Sequence, residues 1–424
     1  MTIEQAHEYI RKHIEADDYT LYASSRDILQ TRFAQNAITQ HMHGAHQNIR
    51  LSVAFGNRTG VATANNLEED TISWLLETAQ NIARLNQPDP EYVPSEGHHE
   101  LPETDNYDEA TAAWPIQSMV DGVEACVRNA EKREAKVAGI SSRYIIGSQV
   151  FTANGFVGAE RYTEFSHSMT MKKEGAETKV SLGVKRIGAF DMTALIDQMN
   201  GQFDSLTGLL PIEAGKYTVI MRPQAVASLF NMLSYYMQRR SADEGVSPFT
   251  DQIGKPMFGD RFNLLSTCDD PEMYTPSFDY NLRPAHTVSW VKDGVVENLP
   301  ADRYWAKKQG VEPVTSFNSY IPGGDVTEAE MMKQAGSGLI LNDLWYIRMV
   351  DQKRGEFTGM TRDGVMRFEN GKIVGAVHNL RWNEITHEAM QRLLALGPAV
   401  LLSPNSKVPT MLIKDFNFVD TTTF

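Results

Sequence analysis

The feature that most constrains the fold is a series of strand patterns joined by short turns in the last third of the chain. The strand patterns cover residues 339–350, 365–369 and 372–382, and the turn signals are at 353–355, 362–364 and Asn370–Gly371. The Asn-Gly pair predicts a type I′ hairpin, because both central residues of that turn need positive φ. Strands joined this closely pair antiparallel, so the pattern excludes consecutive βαβ units here.

The length of the chain predicts more than one domain. A chain of 424 residues exceeds what one compact core usually holds, and 42% hydrophobic with 22% charged residues is ordinary globular composition. Residues 211–215 are the expected junction. We therefore predict domains at 1–210 and 211–424, with 1–105 and 106–210 as candidate sub-domains of the first.

The first domain combines helix and strand patterns. Helical spacing of apolar residues occurs at 3–16, 67–85, 116–133 and 192–206, and strand patterns occur at 20–24, 31–33, 49–55 and 137–185. The predicted class is α+β, with an N-terminal mixed α/β domain. It is followed by a C-terminal domain dominated by antiparallel sheet with a packed helix.

That packed helix is predicted over residues 223–240. Pro223 suits its first turn, because the N–H that proline lacks would be unpaired there anyway. The apolar residues that follow recur on one helical face. We expect Leu229, Phe230 and Leu233 to be buried, and Arg239 and Arg240 to be exposed.

Charge and cysteine usage bear on location and partners. A formal net charge of −14 disfavours binding to a nucleic-acid backbone. The first 18 residues have the pattern of an amphipathic helix and not that of a signal peptide. No run of 18 apolar residues occurs, so the sequence predicts no transmembrane helix. Two cysteines, Cys126 and Cys268, are too few for a disulfide scaffold. The expectation is a cytoplasmic protein that binds neither nucleic acid nor membrane.

One group of histidines is a candidate metal site. His41, His43 and His46 have the spacing H-x-H-x-x-H. On an extended segment the first two would share a face, whereas the third would need a turn to join them. Neutral imidazoles bind zinc when their geometry converges, so this set stays open as an alternative. Phosphate-loop, G-x-S-x-G and H-E-x-x-H motifs do not occur in the sequence.

Several longer segments resemble the TldD/PmbA family, the "modulator of DNA gyrase" family. They are GKYTVIMRPQAVASLFNML (215–233), SPFTDQIGKPM (247–257), VKDGVVENLPADRYWAKKQG (291–310), GEFTGMTRDGVMRFENGKIVGAVHNL (355–380) and, in the first half, RTGVATANNLEEDTISWLLETAQNIA (58–83). Their order and spacing carry the resemblance over nearly the whole chain. It implies one subunit of a paired zinc peptidase that degrades unfolded or extended peptides.

The resemblance also implies which subunit this is. In the TldD type, the helix after the proline carries H-E-x-x-x-H and a C-terminal cysteine is a further ligand. Here Phe230, Asn231 and Tyr235 stand at the motif positions, and residues 402–408 contain no cysteine. Phenylalanine has no lone pair to give, asparagine is not a base, and a phenol is a poor zinc ligand at neutral pH.

The chain thus resembles the PmbA/TldE type, which lacks the motif. The resemblance implies no catalytic residue and no metal in this chain, zinc in a TldD-like partner, and an extended peptide as substrate. A homodimer is an open option without that partner. Two further hypotheses stay open: a peptidase with a divergent metal site, and a non-enzymatic interaction protein as the gyrase-modulator label implies.

Overall fold

Two β-sheets, one in each half of the chain, organise the fold in a computed structural model that describes residues 1–206 and 208–422. The helices of the first half are α1 (Ile3–His13), α2 (Glu69–Leu85), α3 (Glu109–Ala112), α4 (Ile116–Lys132) and α5 (Met192–Asp204). Its strands are β1 (Asp18–Ala34), β2 (Ala37–Phe55), β3 (Arg58–Ala64), β4 (Lys136–Thr152), β5 (Val157–Lys173) and β6 (Ala176–Val184).

The first sheet has six strands in the order β3-β2-β1-β4-β5-β6, and every pairing in it is antiparallel. Helices α1 and α2 pack on one end of a single face, around Leu21 and Leu51. Helices α4 and α5 pack further along the same face, around Phe33 and Val137. The predicted strands at 20–24 and 31–33 are wrong as separate elements. They form one strand, because β1 is paired on both sides along this whole length.

The second half contains most of the strands. Its helices are α6 (Pro223–Tyr236), α7 (Arg239–Asp243), α8 (Arg303–Gln309), α9 (Glu328–Ala335) and α10 (Thr386–Gln391). Its strands are β7 (Leu209–Leu210), β8 (Gly215–Met221), β9 (Leu264–Ser266), β10 (Val288–Lys292), β11 (Val295–Val296), β12 (Ser319–Tyr320), β13 (Ser337–Asp351), β14 (Glu356–Glu369), β15 (Lys372–Val377), β16 (Leu380–Ile385), β17 (Leu393–Ser403) and β18 (Ser406–Thr421).

These strands form a twelve-stranded sheet that is mainly antiparallel. Its main path is β11-β10-β9-β12-β18-β8-β13-β14-β15-β7, with β16 and β17 paired onto it. Parallel pairs join β8 to β13, β12 to β18 and β7 to β15. The predicted hairpin is confirmed, because Asn370 and Gly371 have φ of 50° and 73° between the paired residues Glu369 and Lys372. The α+β class and the antiparallel C-terminal sheet are confirmed, whereas the domain boundary at 210/211 stays a prediction.

Two strand predictions in this sheet are wrong in detail. Residues 362–364 are not a turn between strands but an irregularity inside β14, where Asp343 pairs with Arg362 while Leu341 pairs with Val365. Asp363 and Gly364 take φ of 56° and 103°, which accommodates the extra residues without ending the strand. The predicted strand 372–382 is two strands, β15 and β16, which pair with different parts of β14.

The helix predicted over 223–240 divides into α6 and α7. The backbone N–H of Arg239 donates to Pro300 O at 2.8 Å, so the chain leaves the helical path after Tyr236. Both arginines are half-buried and not exposed. Arg239 pairs with Asp243, and Arg240 pairs with Glu91 and Glu244.

Candidate functional site

Helix α6 carries the positions where the resemblance places the zinc motif. Its buried face belongs to the largest apolar cluster, and Leu229, Phe230 and Leu233 are each 1% exposed, as predicted. The Phe230 ring stacks on Phe262 with centroids 4.8 Å apart. The position of the first motif histidine is therefore filled by a core aromatic side chain.

The other two motif positions lie on the solvent side of the same helix. Asn231 is exposed, and Tyr235 is 74% exposed. Residues five apart on a regular α-helix differ by about 140° around its axis, so 230 and 235 cannot face one point. These three side chains do not fit a zinc ion, because they neither converge nor supply ligand lone pairs of the right kind.

A buried polar cluster, which sequence reasoning missed, lies beside α6. Ser228 donates to Asp343 Oδ1 at 2.8 Å, and Lys179 Nζ is 3.4 Å from Asp343 Oδ2 and 3.9 Å from Asp363 Oδ2. Lys179 comes from β6 of the first sheet, whereas the two aspartates lie on β13 and β14. The cluster therefore joins the two sheets.

A second set of contacts extends the cluster. Arg222 makes a bidentate pair with Glu328, with both N···O distances 2.8 Å, and donates to Asn342 Oδ1 at 2.7 Å. Asn342 Nδ2 in turn donates to Thr178 Oγ1 at 3.0 Å and to Asp363 O at 2.7 Å. Every link is a hydrogen bond between partly or fully buried groups, so the arrangement is rigid.

A cavity of about 470 Å³ opens beside this cluster. We call it the β14 cavity, and its lining includes Lys172, Glu177, Trp345, Arg362, Asp363 and His378. The Arg362 guanidinium lies 3.9 Å from the centroid of the Trp345 ring, a cation–π contact. The neighbouring residue Tyr346 has φ of 50° and is 52% exposed. Backbone irregularities of this kind concentrate at functional sites, so the β14 cavity is a candidate binding site.

One group in the β14 cavity titrates near neutral pH. Burial raises the pKa of Asp363 to about 6, although Lys179 opposes the rise. Burial also raises the pKa of Asp343, again with Lys179 opposing. A carboxyl group with such a pKa can take up or release a proton beside a bound molecule.

The three candidate histidines lie on β2 and do not converge. His41 is opposite Thr31 and hydrogen-bonds its hydroxyl at 2.9 Å, and His43 Nε2 is 2.7 Å from Asp27 Oδ2. His46 is opposite Arg26, on the other face of the sheet. Within residues 1–206 and 208–422, no three His, Cys, Asp or Glu side chains are grouped to hold a metal ion.

A buried cysteine–histidine–serine contact was also not predicted. Cys126 Sγ is 3.7 Å from His167 Nε2, and Ser141 Oγ is 2.6 Å from His167 Nδ1. Burial raises the pKa of Cys126 to about 12 and lowers that of His167 to about 4. The thiol therefore stays protonated at neutral pH, and with all three residues at most 2% exposed this contact is structural.

Comparison with known proteins identifies the family of the second half of the chain. Residues 214–420 match the family described as the PmbA/TldA metallopeptidase C-terminal domain. The second half of the chain, which includes α6, is thus a metallopeptidase-family domain. Residues 214–420 therefore belong to the TldD/PmbA family. Among curated proteins, no sequence matches the chain.

Solved structures show the same fold over the whole chain. TldE from Thermococcus kodakarensis is 14% identical with a TM-score of 0.89, covering 98% of this chain and 99% of its own. A Thermotoga maritima protein described as a candidate modulator of a DNA gyrase is 17% identical with a TM-score of 0.87, covering 99% and 100%. A protein of the same description from Bacteroides thetaiotaomicron is 18% identical, with a TM-score of 0.84 and 98% of each chain covered. At these identities the likeness establishes the fold alone.

Among the described helices, none is long and apolar enough to cross a membrane.

Proposed function

We propose that this chain is a PmbA/TldE-like subunit that completes a TldD-type metallopeptidase without holding the zinc itself. The observation that carries the proposal is the burial of Phe230 against Phe262 on α6. A zinc hydrolase needs ligand lone pairs and usually a carboxylate base near the bound water. The helix supplies neither, so the zinc and the base come from a TldD-like partner with H-E-x-x-x-H.

The substrate of the assembly is an unfolded or extended peptide in the cytoplasm. Open sheet edges can bind an extended backbone whatever its sequence, because main-chain hydrogen bonds supply the affinity. The β14 cavity, with Trp345 and Arg362 at its wall, offers a place for a substrate side chain. The net charge of −14 favours protein partners over nucleic acid.

A non-enzymatic interaction protein is the second candidate. Two of the similar structures belong to proteins described as candidate modulators of DNA gyrase. In that case the chain would bind a protein partner without taking part in proteolysis. The identity of the bound protein separates this candidate from the first.

The metal content of the purified chain tests the proposal that this subunit does not hold zinc. Purified chain, dialysed against buffer without chelator, should contain well under one zinc per molecule by elemental analysis. Stoichiometric zinc that survives dialysis would contradict the proposal. Substitution of His41, His43 and His46 by alanine would then show whether these residues form a divergent site.

A further inference from the structure

A second cavity lies on the face of the first sheet opposite to its helices. Leu21 faces the helices, so its neighbour Tyr22 points to the other side, where the cavity lies. The floor of the cavity is formed by β1, β4 and β5, where Ser148 lies opposite Glu160. Its other wall is the loop 274–282 from the second half of the chain. The volume of about 390 Å³ is enough for a small ligand or one long side chain.

Aromatic side chains form much of the wall of this cavity, which we call the tyrosine pocket. Its lining includes Tyr22, Tyr162, Tyr274, Tyr280, Phe317 and Glu160. The ring centroids of Tyr162 and Tyr274 are 4.8 Å apart with 49° between the ring planes, so these rings do not stack face to face. Tyr280 is 87% exposed and therefore marks the mouth of the pocket. Rings that meet at an angle around a space can direct their electron-rich faces at one bound group.

The charge on the wall of the tyrosine pocket is negative. Among its lining residues in the described part of the chain are the carboxyl groups of Glu160 and Asp279, and no lysine, arginine or histidine. Arg26 lies on the same face of the sheet, but its guanidinium is 4.8 Å from the ring centroid of Tyr144 and its charge is offset by Glu164. The pocket therefore combines acidic groups with aromatic rings and has no basic side chain of its own.

Glu160 is the acidic group with an unused acceptor. Its Oε1 atom accepts hydrogen bonds from the backbone N–H and the hydroxyl of Ser277. Its Oε2 atom is buried and makes no hydrogen bond with any described residue. Burial raises the pKa of this carboxyl group, and the bonds from Ser277 oppose the rise. A buried carboxylate in this position is stabilised when a cation binds next to it.

The loop that closes the tyrosine pocket is held in place by its own contacts. Asp279 Oδ1 accepts the backbone N–H groups of Asn281 at 2.8 Å and of Arg283 at 3.1 Å. Phe278 packs edge-on against Phe156, with ring centroids 5.3 Å apart, and so fixes the loop to the first sheet. The pocket is therefore formed before a ligand binds, which lowers the ordering cost of binding.

We propose that the tyrosine pocket binds an ammonium group carried on an alkyl chain. Aromatic rings attract a cation through their electron-rich faces and also cover the apolar chain that carries it. Glu160 adds a charge of opposite sign, which a neutral ligand would not use. A lysine side chain of a peptide and a free alkylamine both supply this group. The inference does not rest on the proposed function, because such binding needs neither a partner chain nor zinc.

Matched probes test the chemistry of the ligand. Isothermal titration calorimetry compares an end-blocked peptide of one lysine between two glycine pairs, the same peptide with norleucine in place of lysine, and n-butylammonium chloride. The lysine peptide should bind the full chain about tenfold more tightly than the norleucine peptide, because only the ammonium group differs. Equal affinities of the two peptides, with no binding of butylammonium, would overturn the proposal.

The third probe distinguishes the two sources of the ammonium group. Butylammonium has the same length as the lysine side chain but lacks the peptide backbone. Butylammonium that binds as tightly as the lysine peptide would support the proposal with free alkylamines as ligands. Weaker binding of butylammonium would support it with peptides as ligands. A chain that binds neither ammonium probe would contradict it.

Two variants locate the binding in the tyrosine pocket. Glu160→Gln removes the charge and should weaken binding of the lysine peptide by about tenfold, and Tyr280→Leu removes one ring and should weaken it by about two- to fivefold. The matched controls Glu131→Gln and Tyr235→Leu change exposed positions outside the pocket and should leave the affinity unchanged.

The exposed position of Tyr280 keeps this test decisive even if Glu160→Gln fails to fold. The Tyr280 side chain is 87% exposed, so its replacement should not disturb the core. An affinity for the lysine peptide that Tyr280→Leu leaves at the wild-type value, or that the control variants lower equally, would place the binding elsewhere and overturn the proposal.

Discussion

Phe230 is the residue that the family resemblance places at the first histidine of the zinc motif, and its surroundings are apolar. The ring is 1% exposed and stacks on Phe262. Phe230→Ala should lower the free energy of unfolding by about 3–5 kcal/mol, because it empties a buried aromatic position. Tyr235→Ala is the matched control on the same helix and should change stability by only about 0.5 kcal/mol, since Tyr235 is 74% exposed. Denaturant titration measures both, and equal losses would contradict this account of α6.

Asp363 is a residue whose charge should change with pH in a range that unfolding experiments can reach. Its pKa is about 6 in the folded chain because of burial, against an ordinary value near 4. The folded state therefore binds more protons than the unfolded state between these values. The stability that this difference contributes is complete below the ordinary pKa and is lost as pH rises through about 6.

Asp363→Asn should remove this dependence. The variant should gain about 1–3 kcal/mol over wild type at pH 7, and its stability should fall less between about pH 4 and 6. Asparagine is also well suited to the positive φ at this position. The control Asp260→Asn changes an exposed carboxyl and should keep the wild-type profile. Urea unfolding across this pH range measures the effect, and parallel profiles for Asp363→Asn and wild type would show the explanation to be wrong.

At the scale of elements, sequence patterns correctly predicted the features that depend only on residues close together in the chain. The Asn370–Gly371 hairpin and the apolar face of α6 follow from turn chemistry and helical spacing within a few residues. Residues 362–364 carry the same kind of turn signal but lie inside β14, because pairing with β13 on one side keeps the strand continuous. The end of α6 was missed because a distant carbonyl, that of Pro300, takes the Arg239 N–H.

Contacts between residues far apart in the sequence matter even more for the candidate site, and sequence patterns do not predict them. The burial of Phe230 could be predicted, since it continues an apolar stripe. The contact of Lys179 with Asp343 joins residues 164 positions apart and exists only because the two sheets pack together. No pattern in the sequence marks these residues as neighbours. The β14 cavity therefore could not be predicted without the fold.

Gly364 tests how closely the two sheets approach each other. Its φ is 103°, and a Cβ atom there would lie 2.9 Å from Glu177 O on β6 and 3.0 Å from Asn342 Nδ2. Gly155 has a similar φ of 91° with nothing within 4 Å of a Cβ. Both alanine variants should be destabilised by the positive φ, but Gly364→Ala should lose at least about 1 kcal/mol more. Similar losses in thermal unfolding would mean that the contact of β14 with β6 is looser than described.

At the scale of the whole molecule, the fold does not depend on the few residues that would carry the zinc chemistry. Structures with 14–18% identity share this fold with TM-scores of 0.84–0.89, so the architecture tolerates extensive sequence change. The zinc chemistry that the resemblance implies depends on a few positions of one helix. A chain with this fold can therefore keep the architecture while lacking the metal site.

The most direct test of the central claim is peptide hydrolysis by this chain, by a TldD-like chain with H-E-x-x-x-H, and by their mixture, followed by mass spectrometry of the products. This chain alone should not cleave an unstructured peptide, whereas the mixture should form a stable complex that does. Replacing the partner's motif glutamate should abolish turnover, and Asn231→Ala or Tyr235→Ala here should leave activity within a few-fold. Metal-dependent cleavage by this chain alone, persisting after contaminating proteases are removed, would contradict the account.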